Sequence, residues 1–201
     1  MTRSKPRKIP EILTENEQTK LLKQPNKRYA TGLRNLAILR VLLDSGLRCG
    51  ELLALERDDV DFMTGQLKVR QGKGCKDRIL WLNDSALSIL KSWVERRGRE
   101  LENRKIGQVE LLFCTLKGKA LARQYIDAML KLYAKRAGIK KRVHPHMTRH
   151  TFATDLYRKT GNLKIVQKAM GHSYIDTTSI YLHLVDGELE NSLKGLRESR
   201  K

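Results

Sequence analysis

The sequence predicts an α+β fold that is mainly α, a helical domain around one small antiparallel β-sheet. Three observations predict it. Apolar residues recur at helical spacing along most of the chain, as in Leu33 to Leu43 and in Leu87, Leu90 and Val94. Residues 60–82 alone change to a period of two. Glycines or short polar residues stand at the boundaries between these stretches, among them Gly46, Asn83, Gly138, Gly161 and Gly171.

Residues 1–10 are basic and polar and read as a flexible arm. Thr14-Glu15-Asn16-Glu17 is a capping box that starts a helix burying Leu21 and Leu22. The helix over 32–44 is apolar nearly all round, which predicts a central position, and Gly46 stops it. A short helix follows through Leu52, Leu53 and Leu55. Gln66–Arg70 and Ile79–Leu82 predict two strands joined by the basic turn Gly72-Lys73-Gly74. Asn83 to Ser85 caps the next helix, and residues 98–108 read as a charged loop. Leu111-Leu112-Phe113 is a short apolar run, and Ile126, Met129, Leu130 and Tyr133 mark a helix ending at Gly138. Phe152 and Leu156 share a helix that Gly161 ends; Leu163, Val166 and Met170 share one that Gly171 ends. Asp176 caps a last short helix through Tyr181, and residues 186–201 form a loosely amphipathic tail. With no convincing linker, residues 11–185 read as one domain.

Lys and Arg number 41 against 22 Asp and Glu, a formal charge of +19 with a pI near 10.1. A surplus of that size points to a polyanionic partner. Aromatics make up only 5%, which disfavours a stacking platform for single strands and favours duplex nucleic acid held by its phosphates. The cysteines are Cys49, Cys75 and Cys114, without a C-x-x-C pair, so no disulfide framework or zinc site is expected. Neither a secretory signal nor an apolar run long enough for a bilayer is visible, so a cytoplasmic protein is expected.

The chemistry-bearing residues cluster in two places. Upstream lies Gly46-Leu47-Arg48-Cys49-Gly50-Glu51-Leu52; downstream lie His144-Pro145-His146-Met147-Thr148-Arg149-His150, then Gly171-His172-Ser173 and Tyr181. His146 and Arg149 are three apart near a helix start that Pro145 suits. Two arginine forks match phosphate oxygens and can stabilise a phosphorane without a metal. Taken singly, each residue has a plainer reading. Arg48 is one of 41 basic residues, His146 a solvated histidine, His150 a packed one, Tyr181 a half-buried tyrosine and Lys73 a turn lysine. The joint spacing carries the inference.

These segments resemble the tyrosine recombinase (phage integrase) family, the Xer type most closely. Residues 46–52 resemble its first arginine box, His146–Thr154 its H-x-x-R-H box, Met170–Ser173 its L-G-H-S box and Thr177–Tyr181 its nucleophile segment. Gly72–Arg78 resembles the β-hairpin that carries the family's lysine. The resemblance spans roughly residues 10–185 and implies the fold of DNA-breaking and rejoining enzymes.

It also implies roles. Tyr181 attacks a DNA phosphate to give a 3′-phosphotyrosyl intermediate, Arg48 and Arg149 hold the non-bridging oxygens, and Lys73 protonates the leaving 5′-hydroxyl, with Lys76 as competitor. His146 assists proton transfer and His172 hydrogen-bonds the phosphate, while Glu51 and His150 orient these groups. Lys73, Lys76, Arg78 and Arg123 are expected to contact DNA. No metal or other cofactor is implied. The implied partners are a specific duplex recombination site, three further copies in a tetramer on two sites, and an accessory DNA-bending or directionality protein. The implied place of action is the nucleoid. An N-terminal core-binding domain, usual in the family, is expected to be absent, with a stand-alone minimal recombinase and an excised catalytic fragment both open readings. The tail can dock on a neighbouring protomer or pack on its own domain. Two alternatives to a recombinase remain open: a type IB topoisomerase-like nicking and resealing activity, and a non-catalytic DNA-binding regulator on the same fold.

Overall fold

The structure, a computed structural model, describes residues 10–70 and 77–171. Lys73, Lys76, His172 and Tyr181 lie outside the described residues, as do the rest of the basic arm, the turn Gly72–Gly74, the helix expected from Asp176 and the tail 186–201.

The chain enters through a strap on a later helix. Helix α1 (Glu15–Leu22) begins with the expected capping box: the Thr14 hydroxyl accepts from the Glu17 N–H, and the Glu17 carboxylate accepts from the Thr14 N–H. Just before it, the Leu13 N–H donates to Thr151 Oγ1 at 3.0 Å. Lys141 donates to the Ile12 carbonyl at 2.9 Å and pairs with Glu17.

Helix α2 (Ala30–Ser45) is central, as its apolar circumference requires. Ala37, Ile38, Leu39, Val41 and Leu42 have no exposed surface. It packs on α4 (Asp84–Asn103) and on α6 (Pro145–Thr160). Two of its three buried polar residues, Arg34 and Asn35, grip α5 (Arg123–Arg136). The Arg34 guanidinium sits 4.9 Å from the centroid of the Tyr125 ring and donates to the Cys114 carbonyl. Asn35 accepts from the Tyr125 hydroxyl and donates to that of Tyr133. Gly46, at φ +60°, ends α2 in the left-handed conformation.

Helix α3 (Cys49–Leu53) follows after three residues and stops short of Leu55, which is buried beyond it. A 3₁₀ turn at Arg57–Asp59 leads to the hairpin. Strands β1 (Gln66–Val69) and β2 (Arg78–Trp81) are antiparallel, with Leu67 opposite Leu80 and Val69 opposite Arg78. Leu67, Val69 and Leu80 point into the core, and Lys68 and Trp81 point out, as the period of two demands.

A further expectation fails. Residues 98–103 are not loop but the last turns of α4. Trp93, Arg97 and Leu101, four apart, all face inward, and Glu100 pairs with Arg96 and Arg104 along the outer side. Glu100 there is the middle rung of the helix's own ion-pair ladder.

Leu112 and Phe113 are fully buried in an irregular segment that the Trp93 indole ties down by donating to the Leu112 carbonyl. Helix α7 (Leu163–Met170) packs on α6 and on β2, and Gly171 ends it at φ +61°. No helix among the described residues is long and apolar enough to cross a membrane.

Candidate functional site

Three polar ends meet in this fold: the C-terminus of α2, the N-terminus of α3 and the C-terminus of α7. Each leaves backbone groups without intrahelical partners. Three arginines and one glutamate fill that junction.

Glu51 is its centre. The N-terminal position of α3 aims the carboxylate back at residue 48, where Oε2 accepts from the Arg48 N–H at 2.7 Å and Oε1 pairs with Arg48 Nη1 at 2.9 Å. Arg78 on β2 meets the same carboxylate bidentately, Nη1 to Oε1 and Nη2 to Oε2, both at 2.9 Å. Arg149 Nη1 stands 3.9 Å from Oε2. One carboxylate thus organises three guanidiniums from three elements. Burial by itself would raise the Glu51 pKa. The Arg78 hydrogen bonds, the Arg48 amide and the charges of both arginines outweigh it and bring the pKa down to about 2.

The two arginines expected on the phosphate sit at different depths. The Arg48 side chain is 43% exposed. That of Arg149 is 5% exposed, and it donates through Nη1 to the Gly46 carbonyl at 2.7 Å and through Nη2 to the Met170 carbonyl at 2.6 Å. Those carbonyls lie at the C-terminal ends of α2 and α7, where partial negative charge collects, so a buried cation fits there. Arg78 makes the parallel contact, Nε to the Ala169 carbonyl at 2.9 Å. The two arginines together fix the last turn of α7, which leads in sequence to His172.

Sequence reasoning expected Arg78 on the DNA, and the structure gives it another place. Its side chain is 7% exposed, and its hydrogen bonds run to Glu51 and Ala169 inside the protein. The signal was available, because residue 78 has the same strand parity as the inward Leu80.

His146 lies exposed in the first turn of α6, and His150 lies half-buried one turn further. Burial, then the charges of His146, Arg149 and His144, lower the His150 pKa. Arg123 is exposed at the start of α5, close enough to α3 that a methyl group on Gly50 would stand 3.5 Å from Nη2. Arg48, Glu51, Arg149 and Arg78 are therefore gathered, with His146, His150 and Arg123 on flanking elements. A cleft of about 790 Å³ lies elsewhere, lined by α1, α2 and α6 residues such as Gln18, Arg40 and Asp155.

Comparison with known proteins agrees with this geometry. A sequence model described as the phage integrase family matches residues 11–188. The tyrosine recombinase XerD of Staphylococcus saprophyticus is 38% identical over 183 residues, covering 91% of this chain and 61% of that protein. A tyrosine recombinase of Thermosipho africanus is 41% identical over 191 residues, covering 94% and 63%. The chain thus spans about three-fifths of the length of these relatives. Among solved structures, XerH recombinase bound to palindromic difH substrate in a post-cleavage complex superposes with a TM-score of 0.77. It shares 31% identity, with 92% of this chain and 53% of that one covered. The family match takes in the Glu51 junction and every described helix and strand, so the chain belongs to the phage integrase family.

Proposed function

We propose that this chain is a site-specific DNA recombinase that cuts and rejoins duplex DNA through a 3′-phosphotyrosyl intermediate, without metal or ATP. The observation that carries the reading is the Glu51 junction, which brings Arg48 and Arg149 from separate elements to one carboxylate. Family membership supplies the rest of the reading, since relatives bear the name tyrosine recombinase and one similar structure holds a recombination site.

In this mechanism the Tyr181 hydroxyl loses its proton with help from His146, and its oxygen attacks the scissile phosphorus. The bond to the 5′-oxygen breaks as Lys73, or its competitor Lys76, delivers a proton to that oxygen. Arg48 from the exposed side, Arg149 from beneath and His172 stabilise the negative charge on the phosphorane. Glu51 and His150 hold these groups in place. The 5′-hydroxyl of a second strand then reverses the step on the phosphotyrosine. One phosphoester bond is exchanged for another, so no energy source is consumed. Arg123 and the lysines of the hairpin supply contacts to the backbone. Two sites are joined in a tetramer, with the tail 186–201 linking protomers and an accessory DNA-bending or directionality protein choosing the outcome. The place of action is the nucleoid.

The test uses nicked duplexes from the DNA flanking the coding sequence. An SDS-resistant protein–DNA adduct is expected with the wild type and absent with Tyr181→Phe. Equal adduct in both overturns Tyr181 as nucleophile. No adduct from a protein that binds the duplex overturns the catalytic reading in favour of a regulator.

A further inference from the structure

The first turn of α6 carries His146 and leads to Arg149, so its geometry sets where both side chains stand. The residue that caps this turn is itself a histidine. His144 has extended backbone angles, φ −150° and ψ 166°, and its Nδ1 accepts a hydrogen bond from the Met147 N–H at 3.3 Å. Its carbonyl accepts from Met147 and Thr148 at 2.9 and 3.2 Å. Such positions favour Ser, Thr, Asn or Asp, whose side-chain oxygens accept the bond. An imidazole can do the same only while Nδ1 carries no proton.

We propose that His144 is a positioning residue. Its neutral imidazole caps α6 and holds the turn that places His146 and Arg149, and protonation releases that cap.

The surroundings favour the neutral form. The His146 ring stands 6.4 Å away, tilted by 59°. His146, His150 and Arg142 are the basic neighbours from α6 and the chain before it. Asp127 of α5 and Glu11 of the entering strap face His144 from the other elements. Burial, followed by His146 and Arg142, lowers the His144 pKa, and the two carboxylates oppose this without reversing it. The positive end of the α6 dipole adds to the penalty on an imidazolium. Protonated His144 would therefore lose its hydrogen bond and meet repulsion from its own helix end.

The catalytic consequence rests on the recombinase reading, whereas the cap does not, so the experiment measures them separately. In isotope-labelled full chain, the His144 ring nitrogens and the hydrogen-exchange protection of the Met147 amide are followed from pH 8 to pH 5. Wild type, His144→Asn and His144→Ala are compared. The rate of SDS-resistant adduct formation on the nicked duplexes is measured over the same range. In the wild type, Met147 protection should fall roughly fivefold as His144 takes up its proton, the equivalent of about 1 kcal/mol for a lost cap. Asparagine caps without titrating, so His144→Asn should keep protection flat and remove the limb of the rate profile that follows His144. His144→Ala should lower both protection and rate at every pH. Met147 protection indifferent to His144 protonation overturns the cap. A wild-type acid limb in His144→Asn overturns the positioning role. A wild type that forms no adduct overturns the catalytic consequence, and the amide data still decide the cap.

Discussion

Glu51 carries more of the site than any single arginine does. Its side chain is 11% exposed and faces Arg78, which is 7% exposed, so neither charge has bulk water to fall back on. Removing one partner of such a pair leaves the other buried and uncompensated. Glu51→Gln should lower the unfolding free energy by about 3 kcal/mol in urea titration and abolish adduct formation. A loss under about 1 kcal/mol would show that Arg78 is held by its Ala169 contact instead. Arg48 stood out in the sequence because it falls just after a glycine stop, whereas Glu51 came only with the family resemblance. Arg78 was misread because an arginine beside a basic turn looks like a surface residue. Its strand parity with Leu80 was the signal that it points inward, and the register against Val69 agrees. The cap by His144 was hidden for a related reason, since a histidine in a histidine-rich motif invites a catalytic reading before a structural one.

Glycines end three of the described helices, and one of them also makes room for the site. Gly46 has φ +60°, and a Cβ there would stand 2.3 Å from Cδ1 of Phe152 on α6. Gly46→Ala would strain the backbone and force the ring aside, moving the carbonyl that receives Arg149. The expected cost is about 2–4 kcal/mol in chemical denaturation, with adduct formation reduced further than stability alone explains. A fully active, equally stable variant would show that α2 and α6 can separate freely. At this scale most elements were readable, since helix periods, a capping box and glycine stops agree with one another. The exception is the end of α4. There the buried Arg97 occupies a core position, so the apolar period breaks between Trp93 and Leu101 although the helix continues. Periodicity registers only residue type, and a buried arginine hides from it.

Over the whole molecule the charge of +19 is the dominant property toward a polyanion. Duplex affinity should fall by at least about a thousandfold between 50 and 200 mM salt, the loss that some six phosphate contacts produce. Fluorescence anisotropy on a flanking duplex measures it, and a shallow dependence would argue against phosphate-dominated binding. Folding stability should respond to pH in two ranges. The unfolded chain protonates His144 and His150 near their ordinary 6.5, while the folded chain resists because burial and neighbouring charges lower both pKa values. The unfolded state then binds more protons, so stability is full above pH 6.5 and declines as pH falls through the folded values. Glu51 acts in a lower window, since its stabilisation is complete above 4.5 and is lost as pH falls toward 2. Asp44 and Asp155 work the other way, because burial raises their pKa values and acid relieves the cost of their charge. The histidine range is therefore the cleaner test. Urea unfolding of the wild type should show stability dropping from pH 7.5 to 5.5, with a smaller drop in His144→Asn. A flat profile in the wild type would mean that α6 keeps its first turn whether or not its histidines are charged, and the site would then be insensitive to acid until Glu51 itself takes up a proton.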